Sequence, residues 1–225
     1  MSVLLLRLAG PLQSWGDSSR FSMRGTREAP TKSGVLGLLA AAEGRRRTDP
    51  LEDLAALRFG VRTDQEGRLL RDFHTAEGAP LSQRYYLMDA VFLAGVEGDR
   101  SLLEALGEAL RRPKYPLYLG RRSCPTQGRL SLGLVDEPLE EALREHPWLA
   151  ANWYRKQQPK QVRLPLVVDA EAGDVTTETR MDVPVSFSLE HRQYAWRNVA
   201  RRPAVVVENL EGVDDVDFFA AVRGA

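Results

Sequence analysis

Apolar residues near the start of the chain predict a buried β-strand. Residues 3–8 are apolar except for Arg7, and residues 9–11 (Ala-Gly-Pro) end the run. Such a run suits a strand that is covered on at least one face. Beyond it lies a loop in which four basic side chains outnumber two acidic ones. These are Arg20, Arg24, Arg27 and Lys32, against Asp17 and Glu28. We expect a recognition loop carried by a core strand.

Two later stretches follow a helical pattern. The first begins near Thr31 or Ser33 and ends at Gly44, and the second is capped by Ser101 and stops before Pro113. Between them, apolar runs predict strands at residues 59–63 and 86–96. The polar, turn-rich residues 75–83 indicate a protruding loop or hairpin.

A further apolar run at residues 130–135 completes the order strand, helix, two strands, helix, strand. That order is typical of the split βαβ, or ferredoxin-like, fold of the α+β class. Composition turns acidic at residues 136–146, so we predict a domain over residues 1–135 and a small β-rich region over residues 136–225. In the latter, strands are expected at residues 162–168, 181–187 and 204–207, and a helical turn at residues 218–222.

Charge is balanced over the whole chain but not along it. The 225 residues include 31 basic (Lys and Arg) and 31 acidic (Asp and Glu) side chains. Residues 111–129 nevertheless hold six basic residues and no acidic one, which predicts a basic face. These six are Arg111, Arg112, Lys114, Arg121, Arg122 and Arg129.

The composition also argues against several classes of protein. No apolar run is long enough to span a bilayer or to act as a secretion signal, so we expect a cytoplasmic protein. Cys124 is the single cysteine and cannot form an internal disulfide. No cysteine or histidine pattern has the spacing of a zinc site, and no cofactor or metal is expected.

The glycines of the first helix leave two interpretations open. Gly34 and Gly37 lie one turn apart, which favours close packing of the helix on a sheet. Alternatively, a phosphate binds the helix N-terminus beside Lys32. The segment is not a Walker A loop, because Thr31 stands where that motif needs a glycine.

The basic loops favour binding of single-stranded RNA, with arginines on phosphates and Trp15, Tyr115 or Tyr118 stacked on bases. The alternative is that the arginines are solvated and the aromatic rings belong to the core. A second alternative is a metal-independent ribonuclease built from His74, Tyr85, Tyr86 and Lys114. Nothing in the spacing of these four residues places them together.

Four sequence blocks carry a resemblance to a known family. They are residues 7–16 (RLAGPLQSWG), 30–39 (PTKSGVLGLL), 71–75 (RDFHT) and 118–125 (YLGRRSCP). In this order they resemble the CasD subunits of the type I-E CRISPR surveillance complex, Cascade. The acidic second half of the chain matches less distinctively.

The resemblance implies a ferredoxin-like, RNA-recognition-type domain with a thumb-like insertion near residues 75–88 and a small C-terminal β region. Such a subunit would grip the 5′ handle of the CRISPR RNA and contact the backbone subunit CasC and the large subunit CasA. Target DNA would be reached only through the complex. The subunit CasE would cut the RNA, so this chain would bind RNA without cleaving it. Relatives in another subtype process their own RNA, which keeps His74 as the catalytic alternative.

By motif, the resemblance places RNA contacts in three segments: the first loop, the start of the first helix, and the loop after the second helix. The residues are Gln13, Trp15, Arg24, Arg27, Lys32, Ser33, Gly120, Arg121, Arg122 and Ser123. Backbone amides at Ser33 and Gly120 would donate to phosphate, and the arginines would bind phosphate or stack on a base.

Overall fold

The computed structural model describes residues 2–16, 23–76, 79–188 and 190–213. Part of the first basic loop, with Asp17 and Arg20, and the helical turn expected at residues 218–222 lie outside the described residues. The described strands are β1 (Ser2–Ala9), β2 (Leu12–Gln13), β3 (Met23–Arg24), β4 (Arg58–Gln65), β5 (Arg68–Ala76), β6 (Ala79–Met88), β7 (Val91–Gly98), β8 (Ser131–Val135), β9 (Gln161–Asp169), β10 (Glu178–Ser186) and β11 (Gln193–Glu208). The described helices are α1 (Lys32–Glu43), α2 (Glu52–Ala55), α3 (Arg100–Arg111), α4 (Leu139–Glu145) and α5 (Asn152–Arg155).

Seven of the strands form one sheet in the order β10-β11-β9-β4-β7-β1-β8. Every neighbouring pair in it is antiparallel. The first strand lies inside this sheet, between β7 and β8. The α+β class predicted from the sequence is confirmed.

Helices cover both faces of this large sheet around β1. Leu4 and Leu6 belong to the core that also contains the apolar side chains of α1 and α3. Val3 and Leu5 point to the opposite face and join the core that contains Leu143 of α4. The strand is apolar at nearly every position because both of its faces are buried.

The ends of α1 confirm the sequence prediction. Thr31 is the N-cap, and its Oγ1 accepts a hydrogen bond from the Gly34 N–H at 3.2 Å. Gly44 closes the helix in the left-handed conformation, with φ of +83°. For α3 the predicted cap is wrong. Asp99 is the N-cap, and its carboxylate accepts the Leu102 N–H and also the hydroxyl of Ser101.

The single strand predicted over residues 86–96 is two strands. Asp89 interrupts it with φ of +57°, a conformation that a continuous strand cannot contain. Strand β6 ends before this residue and belongs to a second sheet, whereas β7 starts after it and lies in the large sheet. Asp89 is therefore the point at which the chain changes sheets.

The small sheet is built around a hairpin of β5 and β6. Strand β6 also pairs with β2 and, in parallel, with β3. The hairpin is longer than the turn-rich residues 75–83 indicated, because residues 68–74 pair with residues 82–88 as well.

After residue 135 the chain adds strands to the same large sheet. Strand β9 pairs with β4, β11 with β9, and β10 with β11. These later strands continue the sheet of the earlier ones, so the sheet does not mark the boundary between residues 135 and 136. That boundary stays a prediction. Of the helices described, none is long and apolar enough to cross a membrane.

Candidate nucleic-acid interface

One side of the small sheet carries a concentration of arginines. Arg84 of β6 lies in register with Arg24 of β3 on one side and with Asp72 of β5 on the other. Residues paired in register point to the same side of a sheet, so these three side chains share one face. Arg24 and Asp72 are exposed. We call the side that carries Arg24 and Arg84, together with Arg121 described below, the basic face.

Arg121 is held tightly against this face. Its guanidinium donates to the carbonyl oxygens of Tyr85 at 3.2 Å, Arg24 at 2.8 Å and Gly25 at 3.2 Å. Its carbon Cζ also lies 4.8 Å from the centre of the Tyr86 ring, in a cation–π contact. Arg121 therefore joins the loop after α3 to β3 and β6, and its two terminal nitrogens donate to protein carbonyls.

The loop over residues 118–125 is a closed turn. The Leu119 N–H donates to the Cys124 carbonyl at 2.8 Å, and the Cys124 N–H donates to the Arg121 carbonyl at 2.9 Å. Gly120 has φ of +83°, and a Cβ there would lie 1.7 Å from the Ser14 carbonyl oxygen, so only glycine fits. Its N–H donates to the Tyr118 carbonyl at 3.1 Å, which corrects the expectation that this amide binds phosphate.

The tip of this loop offers side chains to solvent. Arg122 and Ser123 are exposed beside the anchored Arg121. The neighbouring thiol of Cys124 is buried, and this burial raises its pKa. The predicted contacts in this loop thus divide into exposed side chains at positions 122 and 123 and structural ones at positions 120 and 121.

Gln13 and Trp15 are core residues, which corrects the expectation that their side chains contact RNA directly. Both side chains are fully buried. The Gln13 amide donates to the Ala90 carbonyl at 2.7 Å and accepts the Trp15 indole N–H at 3.0 Å. The indole also lies so close to Gly34 that a Cβ there would be 2.8 Å from the ring. The close packing proposed for the glycines is correct for Gly34.

The backbone of Trp15 fixes the first loop. Its N–H donates to Thr26 Oγ1 at 2.9 Å, and its carbonyl accepts the Arg27 N–H at 2.7 Å. Arg27 itself remains exposed, with Nη1 at 3.5 Å from Glu178 Oε1. Trp15 therefore supports the segment that carries Arg24 and Arg27.

The N-terminus of α1 is already occupied by a carboxylate of the protein. The Lys32 N–H donates to Asp182 Oδ2 at 2.9 Å, and Lys32 Nζ lies 2.9 Å from Asp169 Oδ2. The Lys32 side chain is only 6% exposed. A phosphate at this helix end would have to displace Asp182, so the structure contradicts phosphate binding by Lys32 here. Ser33 is buried, and its hydroxyl lies 3.5 Å from Thr31 Oγ1.

Arg197 completes a buried ion cluster with Lys32, Asp169 and Asp182. Its guanidinium hydrogen-bonds the carboxylates of Asp182 and Asp169 and lies over the ring of Phe59. Burial lowers the pKa of Arg197, but the hydrogen bonds and charges of the two carboxylates outweigh that effect and raise it overall. The buried ion cluster pairs its two positive charges with two negative ones.

The basic stretch at residues 111–129 does not act as one unit. Arg111 pairs with Glu108 on the surface of α3, and the Lys114 N–H donates to the Ala42 carbonyl at the end of α1. Tyr115 is about half exposed, whereas Tyr118 is partly buried in a β-bridge with Pro125. Within this stretch, only Arg121 is held against the small sheet by the contacts of the described residues.

The residues considered for a ribonuclease are not brought together. His74 and Tyr85 point to opposite sides of the hairpin, since Tyr85 is in register with Arg71. Tyr86 lies beneath Arg121, and Lys114 packs on Gly44 at the far end of α1. In the ranges that the structure describes, no group of three or more His, Cys, Asp or Glu residues could hold a metal ion.

Sequence reasoning missed Arg84 and considered Tyr86 only for a ribonuclease. Both lie on the basic face, and a signal for them was present in the alternation of Ser82, Arg84 and Tyr86 along one strand. The pattern was hidden because residues 86–96 were assigned to a single strand of the core.

Comparison with known proteins identifies the family. The family model described as CRISPR-associated protein (Cas_Cas5) matches residues 3–200. A curated relative, Cascade subunit CasD of Escherichia coli (strain K12), is 36% identical over 174 residues, covering 65% of this chain and 78% of the relative.

Two solved structures are similar over almost the whole chain. One, described as a Cas protein, has 43% identity and a TM-score of 0.71, covering 95% of this chain and 98% of its own. The other, described as a CRISPR RNA-guided surveillance complex, has 31% identity and a TM-score of 0.75, covering 99% and 98%. The chain therefore belongs to the CRISPR-associated protein (Cas_Cas5) family, which confirms the resemblance to CasD subunits that its four sequence blocks indicated.

Proposed function

We propose that this chain is a non-catalytic, RNA-binding subunit of a type I-E Cascade complex and that it grips the 5′ handle of the CRISPR RNA. The observation that carries the proposal is the basic face, with Arg24 and Arg84 in register beside the anchored Arg121. The exposed Arg122 and Ser123 adjoin it. Guanidinium groups recognise phosphate by charge and by paired N–H donors, which suits a nucleic-acid backbone.

The proposed fold of residues 1–135 is the ferredoxin-like βαββαβ arrangement. The order β8-β1-β7-β4 within the large sheet supports it, because the fourth, first, third and second strands of the motif then lie side by side. Helices α1 and α3 occupy the two helical positions of the motif. The hairpin of β5 and β6 would be the thumb, and β9 to β11 the C-terminal β region.

The ten residues expected from sequence take two different roles in this proposal. Direct contacts come from the exposed side chains of Arg24, Arg27, Arg122 and Ser123. The other six are positioning residues, since their side chains or backbones are bound within the protein. These are Gln13, Trp15, Lys32, Ser33, Gly120 and Arg121.

The partners in the proposal follow from the relatives. The curated relative is named as a Cascade subunit, and one solved relative comes from an RNA-guided complex. We place this chain beside the backbone subunit CasC and the large subunit CasA, with CasE cutting the RNA. Target DNA would be met only through the assembled complex, and no cofactor would be needed.

The proposal is tested by incubating the purified full chain, in chelator, with labelled repeat RNA and with mature guide RNA that carries the 5′ handle. We expect intact handle RNA to be retained and retention to be lost when the handle sequence is scrambled. Shortened RNA would show cleavage and overturn the non-catalytic role. Absence of retention, both alone and with CasC present, would overturn RNA binding.

A further inference from the structure

Arg84 differs from most arginines of the described residues in having an unsatisfied buried nitrogen. Its Nε is buried and has no hydrogen-bond partner within the described part of the chain. A buried N–H without a partner is unfavourable, because it has lost its water and gained nothing in return. Arg180 and Arg202 also have a buried Nε of this kind, so the charges around Arg84 decide what it binds.

The neighbours of Arg84 make the missing acceptor an anion. Arg24 lies directly beside it in the parallel pairing of β3 and β6, and like charges in register repel each other. Arg121 adds a third positive charge on the same side, over the ring of Tyr86. Asp72 is in register with Arg84, but no ion pair joins the two in the described residues.

Arg121 cannot easily be the group that binds this anion. Its terminal nitrogens donate to three carbonyl groups, and its ring contact with Tyr86 fixes its plane. Within the described residues, the guanidinium N–H groups of the basic face that no protein acceptor binds belong to Arg84 and Arg24. Two adjacent guanidinium groups can donate to different oxygens of one phosphate.

We propose that Arg84, with Arg24, forms a phosphate site that holds one backbone phosphate of a single-stranded nucleic acid against the small sheet. This inference rests on the proposed RNA-binding function. It adds to that function one residue, Arg84, and the number of phosphates that the two arginines bind. One phosphate bridges the two arginines and accepts hydrogen bonds from both guanidinium groups. The opposite side of the hairpin, with Arg71 over the ring of Phe73, is not part of the site.

The test compares Arg84→Gln with Arg71→Gln in the full chain. Arg71 is an exposed arginine of the same hairpin that points to the other side, so the two variants lose the same charge. Binding of labelled handle RNA is measured by fluorescence anisotropy over a range of chloride concentrations. We expect Arg84→Gln to weaken binding about tenfold and to reduce the slope of log K against log salt, by no more than the value of about 0.7 for one phosphate of a single strand. Arg71→Gln should leave the slope unchanged.

The double variant Arg24→Gln/Arg84→Gln tests whether the two arginines bind one phosphate or two. If the two arginines share one phosphate, the double variant should lose no more slope than one phosphate accounts for, about 0.7 and not about 1.4. A loss of about 1.4 would assign each arginine its own phosphate and overturn the shared site. Arg84→Lys should restore the slope if charge at this position contacts phosphate, and a failure to restore it would count against the contact.

Inorganic phosphate distinguishes the two sources of the anion. At constant ionic strength, replacing chloride by phosphate should not displace the RNA from the wild-type chain. If phosphate displaces RNA from the wild-type chain and Arg84→Gln abolishes that displacement, the site is a pocket for free phosphate. That result would overturn the assignment to a nucleic-acid backbone. If the wild-type chain binds RNA and Arg84→Gln leaves the slope of log K against log salt unchanged, this inference alone is overturned. Wild-type chain that binds no RNA would overturn the proposed function as well.

Discussion

The buried ion cluster and the basic face contain similar positive side chains but differ in where their counter-charges come from. Lys32 and Arg197 are neutralised by Asp169 and Asp182, which strands β9 and β10 contribute. Arg24 and Arg84 have no such carboxylate bound to them in the described residues. A basic residue in a sequence motif therefore indicates a ligand site only when the rest of the fold leaves it without an internal anion.

Arg197 lies at the centre of the buried ion cluster, and its removal should have the largest effect on stability. Arg197→Met should lower the free energy of unfolding by about 3–5 kcal/mol, because two buried carboxylates lose their main partner. Urea denaturation of the variant and the wild type measures the change. Arg71→Met, at an exposed position, is the control and should change stability by less than about 0.5 kcal/mol. A loss below about 1 kcal/mol in Arg197→Met would mean that the cluster contributes little to stability.

Lys32 provides a second test, because the sequence left both a structural and an RNA-binding role open for it. Lys32→Met should cost about 1–3 kcal/mol of stability, since Asp169 loses one of its two cationic partners and keeps Arg197. The salt dependence of RNA binding should not change, because the Lys32 ammonium is bound to Asp169 within the protein. Urea denaturation and anisotropy titrations on the same preparations measure both quantities. A slope reduced by about 0.7 would return Lys32 to the interface.

The smallest effect separates the two neighbouring arginines of the loop. Arg121→Lys keeps the charge but cannot reproduce three carbonyl contacts and a planar contact with Tyr86, so it should cost about 1–2 kcal/mol. Arg122→Lys changes an exposed side chain and should cost less than about 0.5 kcal/mol. Unfolding curves of the two variants give the difference directly. Equal losses would show that Arg121 is no more structural than Arg122.

Much of the fold could be predicted from local sequence. The apolar run of β1 and the caps Thr31 and Gly44 of α1 can be recognised from a few neighbouring residues. One error was local and one was not. Ser101 has the chemistry of a cap, but the helix begins earlier, and Asp99 accepts the Leu102 N–H. Residues 86–96 read as one strand because nothing in their hydrophobicity marks the change of sheet at Asp89.

The candidate site was predicted less well, for a related reason. The motifs marked three segments, but they could not distinguish an exposed side chain from a buried one that holds its segment in place. Trp15 is an aromatic residue in a basic loop, yet its ring fills the space that Gly34 leaves. Arg84 carries no motif, and its place beside Arg24 depends on a parallel pairing between strands about sixty residues apart in the chain.

The hydrogen bond between the Lys32 N–H and Asp182 joins residues 150 positions apart in the chain. Proteins are synthesised from the N-terminus, so α1 leaves the ribosome long before β10 exists. Until then, the first turn of α1 and the Lys32 ammonium must be solvated or bound by something else. Helix α1, which carries one of the four sequence blocks of the resemblance, thus reaches its final surroundings only after β10 has been made.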